Sequence, residues 1–245
     1  MQELRIGTAG WALGKGSPDL FLGAGTHLER YARVFNAVEI DRTFYQLPMA
    51  RTLERWARCT PSGFRFSLKM PRSITHERRF VRITEPLQRF LGLLPALGEK
   101  CGPVLVQLPP SLAFDAAAED ALSLLRELYT GAIVCETRHA SWYAREVDAL
   151  LRRLHIAHVV ADPPRGTDAH APGGDRALLY YRLHGSPRTY WSNYSEADLQ
   201  VWTERIRKQS GKAQACWVIF DNTAAGHALA NALRSRELLT RKEAL

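Results

Sequence analysis

The stretch Ala37-Val38-Glu39-Ile40-Asp41 decides the fold. Val38 and Ile40 alternate with Glu39 and Asp41, and a run this short and regular is a strand whose apolar face meets helices while its polar face turns the other way. Comparable runs lie at 4–7, 64–68, 104–107, 132–135, 158–161, 179–183 and 216–220, which with 37–40 makes eight strands. Helical stretches at 27–35, 51–58, 86–97, 115–129, 145–154, 196–209 and 225–238 separate them. The remaining interval, 162–177, is rich in Pro, Gly and Asp and reads as a loop.

Helix starts carry their own signals. Thr26-His27-Leu28-Glu29 is a capping box, Ser195-Glu196-Ala197-Asp198 is a close variant, and Asp115 is placed to cap the alanine-rich helix that follows it. Parallel strands need crossover helices, and eight such units with no linker or composition break predict one α/β domain over 1–245, a single (β/α)8 TIM-like barrel. A doubly wound open sheet would need a G-x-G-x-x-G loop, and Gly7-Thr8-Ala9-Gly10 does not supply it.

Composition sets the outer limits. In 245 residues, 46% are hydrophobic and 24% charged, which fits a folded soluble chain and excludes disordered and collagen-like classes. Lys plus Arg exceed Asp plus Glu to give +8, so an anionic partner is favoured. Cys59, Cys101, Cys135 and Cys216 lie far apart without metal-ligand spacing, which excludes a disulfide scaffold and a structural zinc site and fits a reducing cytoplasm. The charged start of the chain and the lack of an 18-residue apolar stretch predict no signal peptide and no membrane partner. Nothing in the chain indicates an oligomeric state.

Strand parity then sorts the polar residues. It turns Glu39 and Asp41, Ser67 and Lys69, Gln107, Glu136 and Arg138, His158 and Asp162, Arg182 and His184, and one of Asp221 and Asn222 toward the barrel interior. The first strand runs into Thr8 and Trp11. All of these lie at strand C-terminal ends, the mouth where barrel enzymes keep their chemistry. A buried ion-pair network is the purely structural alternative, but buried charges cost several kcal/mol each before pairing, and a barrel without a use for them would hold Val, Ile and Leu there.

The loops after these strands are basic and aromatic. Lys69-Met70-Pro71-Arg72 runs on through His76 to Arg78 and Arg79, and Arg138, Arg165 and Arg188 follow in later loops, with Trp11, Tyr45, Trp142, Tyr190 and Trp191 among them. Cations beside aromatic planes suit a phosphate and a stacked base. The turn Asp221-Asn222-Thr223-Ala224-Ala225-Gly226 leads into the last helix, where barrels often hold phosphate.

These motifs, taken in order, resemble the DUF72 family, also called YecE-like proteins. The matching pieces are Gly7-Thr8-Ala9-Gly10-Trp11, Phe35 to Ile40 followed by Thr43-Phe44-Tyr45, Lys69-Met70-Pro71 with Ile74-Thr75-His76, Gln107-Leu108-Pro109-Pro110, Glu136 to Trp142, and Arg182-Leu183-His184-Gly185. The resemblance implies a TIM-barrel-like fold and no established activity. Ala9 stands where the family usually shows Ser, Asp41 where Asn is usual, and Asp221 where Asn is usual. Position 9 therefore has no nucleophile, and two carboxylates are added near the mouth.

The residues favour binding of an anionic, phosphate-bearing small molecule or nucleic acid with acid/base chemistry. The candidate catalytic groups are Glu39, His76, Glu136, His139, Asp162 and His184, and the ligand-binding candidates are Thr8, Trp11, Asp41, Tyr45, Lys69, Gln107, Arg138, Trp142, Arg182 and Asn222. No cofactor is expected. A divalent-metal hydrolase or isomerase on the pattern of endonuclease IV or xylose isomerase barrels would recruit Glu39, His76, Glu136, Asp162 and His184, against which stand the cations in the same mouth. A non-catalytic nucleic-acid binder would use the same basic loops without needing the carboxylates. A Ser/His/Asp triad lacks its G-x-S-x-G elbow, and Glu39 with Glu136 remains a possible glycosidase pair.

Overall fold

A computed structural model describes residues 3–14, 17–164 and 171–241, so Arg165 and part of the 162–177 loop lie outside the described residues. Among the described residues ten strands form two sheets. In the first, β1 (Glu3–Thr8), β10 (Ala215–Phe220), β9 (Leu178–Leu183) and β7 (Val160–Asp162) pair in that order, all parallel. The second runs β2 (Ala37–Ile40), β3 (Arg65–Lys69), β4 (Cys101–Gln107), β5 (Ile133–Glu136) and β6 (Ile156–His158) in parallel, and closes with β8 (Gly173–Gly174) antiparallel to β6.

One buried apolar cluster draws on both sheets, joining Ala37, Leu105, Val134 and Ala157 to Tyr180, Trp217 and Ile219, so the sheets face each other across a shared inner layer. A larger core packs their outer faces against the helices, with Val38, Ile40, Val104, Val106, Val218 and Phe220 among its strand residues. This is a TIM-like α/β arrangement. The hydrogen-bonded ladder itself is interrupted at two seams. Between β6 and β7 the chain simply passes from one sheet to the other. Between β1 and β2 the ladder shrinks to an Ala9–Glu39 bridge, with Gly10 N–H donating to Glu39 O at 2.8 Å, and side chains do the rest: Asn36 bonds Ile6 N–H and Leu4 O, and Tyr31 Oη accepts from Thr8 N–H and donates to Ala37 O. Close approach there requires Gly7, because a Cβ on it would sit 2.0 Å from Ala37 O.

The helices follow the expected order: α1 (His27–Ala32), α2 (Ala50–Arg58), α3 (Thr84–Leu91), α4 (Ala116–Leu128), α5 (Arg145–Arg153), α6 (Glu196–Ser210) and α7 (Ala228–Thr240). Thr26 and Ser195 form complete capping boxes, and Asp115 accepts from Ala118 N–H at 2.9 Å. The helix expected over 86–97 stops at Leu91 and gives way to tight turns over Leu94–Lys100, where Gly98 adopts φ +54°. The strand expected at 158–161 also divides. Ala157 and Val159 belong to the inner layer and Val160 to the outer core, so His158 and Asp162 face away from the interior, contrary to the parity reading. The run His158-Val159-Val160-Ala161 is apolar on both parities, which leaves alternation nothing to decide with.

All four cysteines are free thiols, and among the described residues no helix is long and apolar enough to cross a membrane.

Candidate active site

Tyr180 and Arg182 share a parity on β9 and enter the interior between the sheets, with Arg182 fully buried. Its guanidinium is the hub. Nε donates to Glu39 Oε2 at 3.0 Å and Nη2 to Glu39 Oε1 at 2.7 Å, a two-point grip across the interior from β9 to β2. Nη1 donates to Glu136 Oε2, and Nη2 also reaches Asp221 Oδ2 at 2.8 Å. Tyr180 Oη donates to Glu39 Oε2 at 2.8 Å and lies 2.9 Å from Ser67 Oγ, whose own proton goes to Pro103 O.

Two residues beyond Arg182, His184 has its Nδ1 3.0 Å from Asp221 Oδ2 and its Nε2 3.3 Å from Glu136 Oε1. With a carboxylate at each ring nitrogen the imidazolium form is favoured. Burial works against that charge, but Glu136 and the Asp221 hydrogen bond outweigh it and raise the His184 pKa. Burial likewise opposes ionisation of Glu136 and Asp221, yet Arg182 and His184 hold both below the usual carboxylate range. Glu39 goes the other way: burial dominates the pull of Arg182 and its pKa is raised. Glu136 Oε1 also takes bonds from Arg138 Nε and Nη2 at 3.0 and 2.8 Å and from Gln107 Nε2 at 3.3 Å.

Above this buried centre lies a more open rim. Lys69 Nζ bonds Asp41 Oδ1 at 2.7 Å and stands 4.3 Å from the centre of the Phe44 ring. His76 meets the other edge of Phe44 at 4.9 Å, with Nδ1 2.8 Å from Thr75 Oγ1. Its pKa is lowered to about 4 by burial and then by Lys69, Arg138 and Arg72. Tyr190, held at φ +71° with its N–H on His184 O, packs edge-on to the His184 ring and hydrogen-bonds Arg138 through its hydroxyl. Next to it Arg188 lies 4.5 Å over Trp191. The rim reaches solvent, whereas Glu39, Glu136, Arg182 and His184 are sealed beneath it, which corrects the expectation of an open set of ionisable tips. A hollow of about 490 Å³ opens at the ends of β1 and β10, lined by Thr8, Gly10, Thr223 and Gly226.

The structure thus brings together Glu39, Asp41, Lys69, His76, Gln107, Glu136, Arg138, Arg182 and His184. Other candidates are elsewhere. Asp162 accepts from Tyr194 Oη at 2.6 Å, on the helix side of the strands. Thr8 turns its hydroxyl to Tyr31 Oη and Gly10 O, also on that side. Trp11 packs edge-on to Trp56 at 4.8 Å, and Trp142 is core, its Nε1 donating to Leu112 O at 2.8 Å. His139 caps the Ala140–Tyr143 turn by accepting from Ser141 N–H. Tyr45 projects into solvent at 67% exposure. Asn222 bridges Ser192 O and Asn231 Oδ1, so Asp221 is the member of that pair that faces inward. Tyr180 was not singled out in the sequence, although its parity with Arg182 carries the information.

Metal holding does not fit this donor set. Arg182 already sits among the three carboxylates as their cation, and among the described residues no group of three His, Cys, Asp or Glu side chains is arranged to hold an ion.

Comparison with known proteins supplies a family context. The family model described as "Protein of unknown function DUF72" matches residues 5–245. The UPF0759 protein YunF of Bacillus subtilis is 26% identical over 86% of this chain and 86% of its own length. UPF0759 protein YecE of Escherichia coli is 34% identical over 53% of this chain and 48% of its own. Among solved structures, a DUF72 family protein from Thermotoga maritima superposes with a TM-score of 0.82 at 27% identity, covering 98% of this chain and all of that one.

Proposed function

Since this chain belongs to the DUF72 family, whose description assigns no activity, function has to be read from the site, and we propose that the chain binds an anionic, phosphate-bearing ligand at the rim above Arg182. In this reading residues 1–245 form one (β/α)8 barrel domain with its polar strand ends at a C-terminal mouth. Lys69 and Arg138 meet the charge of the ligand, the neutral His76 imidazole is the rim group that takes up or returns a proton, and the His184–Glu136–Asp221 cluster beneath holds Arg138 in place through Glu136.

The observation that carries the reading is the placement of Lys69 and His76 against the same Phe44 ring, at 4.3 and 4.9 Å from its centre. A half-buried imidazole kept neutral by burial and by Lys69, Arg138 and Arg72 marks a gathering of cations at the rim, each of them paired with one carboxylate: Asp41, Glu136 and Glu77 respectively. An anion is the complement of such a site. Below the rim the balance is different, with Glu39, Glu136 and Asp221 set against Arg182, Arg138 and His184. That near-neutral centre positions Arg138, and a ligand anion at the rim would share Lys69 with Asp41 and Arg138 with Glu136.

The test is an NMR titration of His76 with and without inorganic phosphate. A bound phosphate should raise the His76 pKa from about 4, with the shift lost in Lys69→Gln. An unchanged His76 titration at saturating phosphate would remove the proposal.

A further inference from the structure

A second cavity, unrelated to the buried network, lies outside the barrel wall between the end of β2 and α2. It holds about 260 Å³ and opens to solvent; Ile40, Leu47, Met49 and Trp56 line it together with the polar Gln46 and with Arg42. Four features define what it can hold. Its lining is half apolar, with Trp56 among the apolar side chains, and half polar, with Thr43, Gln46 and Thr52 beside Arg42. The Arg42 side chain is exposed and makes no hydrogen bond or ion pair among the described residues. Its chain neighbour Asp41 cannot neutralise it, because that carboxylate is committed to Lys69. No acidic side chain lines the cavity, so an entering anion meets no repulsion within it.

Size narrows the class further. An apolar cavity of roughly 150 Å³ accepts a benzene ring, so this one has room for a ring with a short polar substituent and not for a nucleotide. Thr43 adds no competing demand, since its hydroxyl already faces Ile40 O at 2.8 Å and Lys69 O at 2.6 Å. We propose that this cavity binds a small carboxylate with an aromatic or branched apolar body, the ring lying against Trp56 and Leu47 and the carboxylate paired with Arg42. This site is separate from the phosphate reading and stands or falls independently of it.

The probe is 4-methylbenzoate, with 4-methylbenzamide as its neutral counterpart, followed by saturation-transfer NMR and tryptophan fluorescence on the full chain. Saturable binding of the benzoate is expected, with the amide about fivefold weaker and Arg42→Gln weakening the benzoate by about the same factor, as suits an ion pair near solvent. Thr52→Phe, which fills the cavity from α2 and leaves the Arg42 charge in the chain, should abolish binding of both probes. The inference is overturned by the absence of saturation up to about 20 mM, beyond which affinity is too weak to mean recognition. It is equally overturned if benzoate still binds Thr52→Phe as tightly, or if the amide binds as well as the acid. Circular dichroism of both variants separates lost binding from lost folding, and Arg42→Gln, at an exposed position, keeps the test open should Thr52→Phe unfold.

Discussion

Arg182 grips both oxygens of Glu39, Nε to Oε2 at 3.0 Å and Nη2 to Oε1 at 2.7 Å, from opposite sheets and with neither side chain reachable by solvent. A fork-to-fork pair in such surroundings fixes geometry more than it adds net stability, because desolvating both charges offsets most of their attraction. Breaking it is another matter.

Arg182→Gln would leave Glu39, Glu136 and Asp221 without their common cation, and stability should fall by about 3–5 kcal/mol. Urea unfolding followed by fluorescence measures this. A loss of less than ~1 kcal/mol would mean that water already reaches the carboxylates.

Glu136→Gln preserves shape and keeps an oxygen for Arg138, but removes the charge that chiefly raises His184. The variant should fold, and the His184 pKa, read from its imidazole resonances, should drop. An unchanged His184 would show that Asp221 alone sustains its charge.

His158 gives a pH signature with a definite sign. Buried against Thr137, it is depressed to about 4, mainly by burial. The unfolded chain takes up the proton below about 6.5 while the folded one resists, so stability is full above that pH and falls as pH drops from 6.5 toward 4, by about 3 kcal/mol over the window. Urea midpoints measured across this range should show a flatter profile in His158→Gln than in the parent chain.

Trp142 and Tyr45 should separate packing from surface roles. Trp142→Ala empties a fully buried site and orphans Leu112 O, for a cost of about 3–5 kcal/mol. Tyr45→Ala, at an exposed position, should shift stability by no more than about 0.5 kcal/mol. Thermal unfolding of the two variants checks both values.

Alternation read most of the centre correctly from sequence. Glu39, Ser67 and Arg182 each sit between apolar neighbours that pack outward, Glu136 follows the outward Cys135, and a two-residue period leaves them only the inner face. It failed where that contrast vanished. At 158–161 valines of both parities flank the break between sheets, so His158 and Asp162 were read as inward and lie outward. Past the last strand, Asp221-Asn222 offers two polar residues in succession, and only the partners Arg182 and Ser192 distinguish them. Loop aromatics carry no period, and nothing in the sequence tells the core indole of Trp142 from the exposed ring of Tyr45. Depth was equally illegible: whether strand ends lie open or covered depends on Tyr190 and Arg138 folding over them.

The unequal seams of the two sheets have a mechanical consequence. One edge of the cuff is sewn by the chain itself as it runs from β6 into β7, and the other is buttoned at Ala9 and Glu39 and stitched below by the side chains of Asn36 and Tyr31. The backbone of Glu39 is the buttonhole and its carboxylate is tied to Arg182 on the facing sheet, so any event that loosens the guanidinium also slackens the fastening that keeps the molecule wrapped around its own interior.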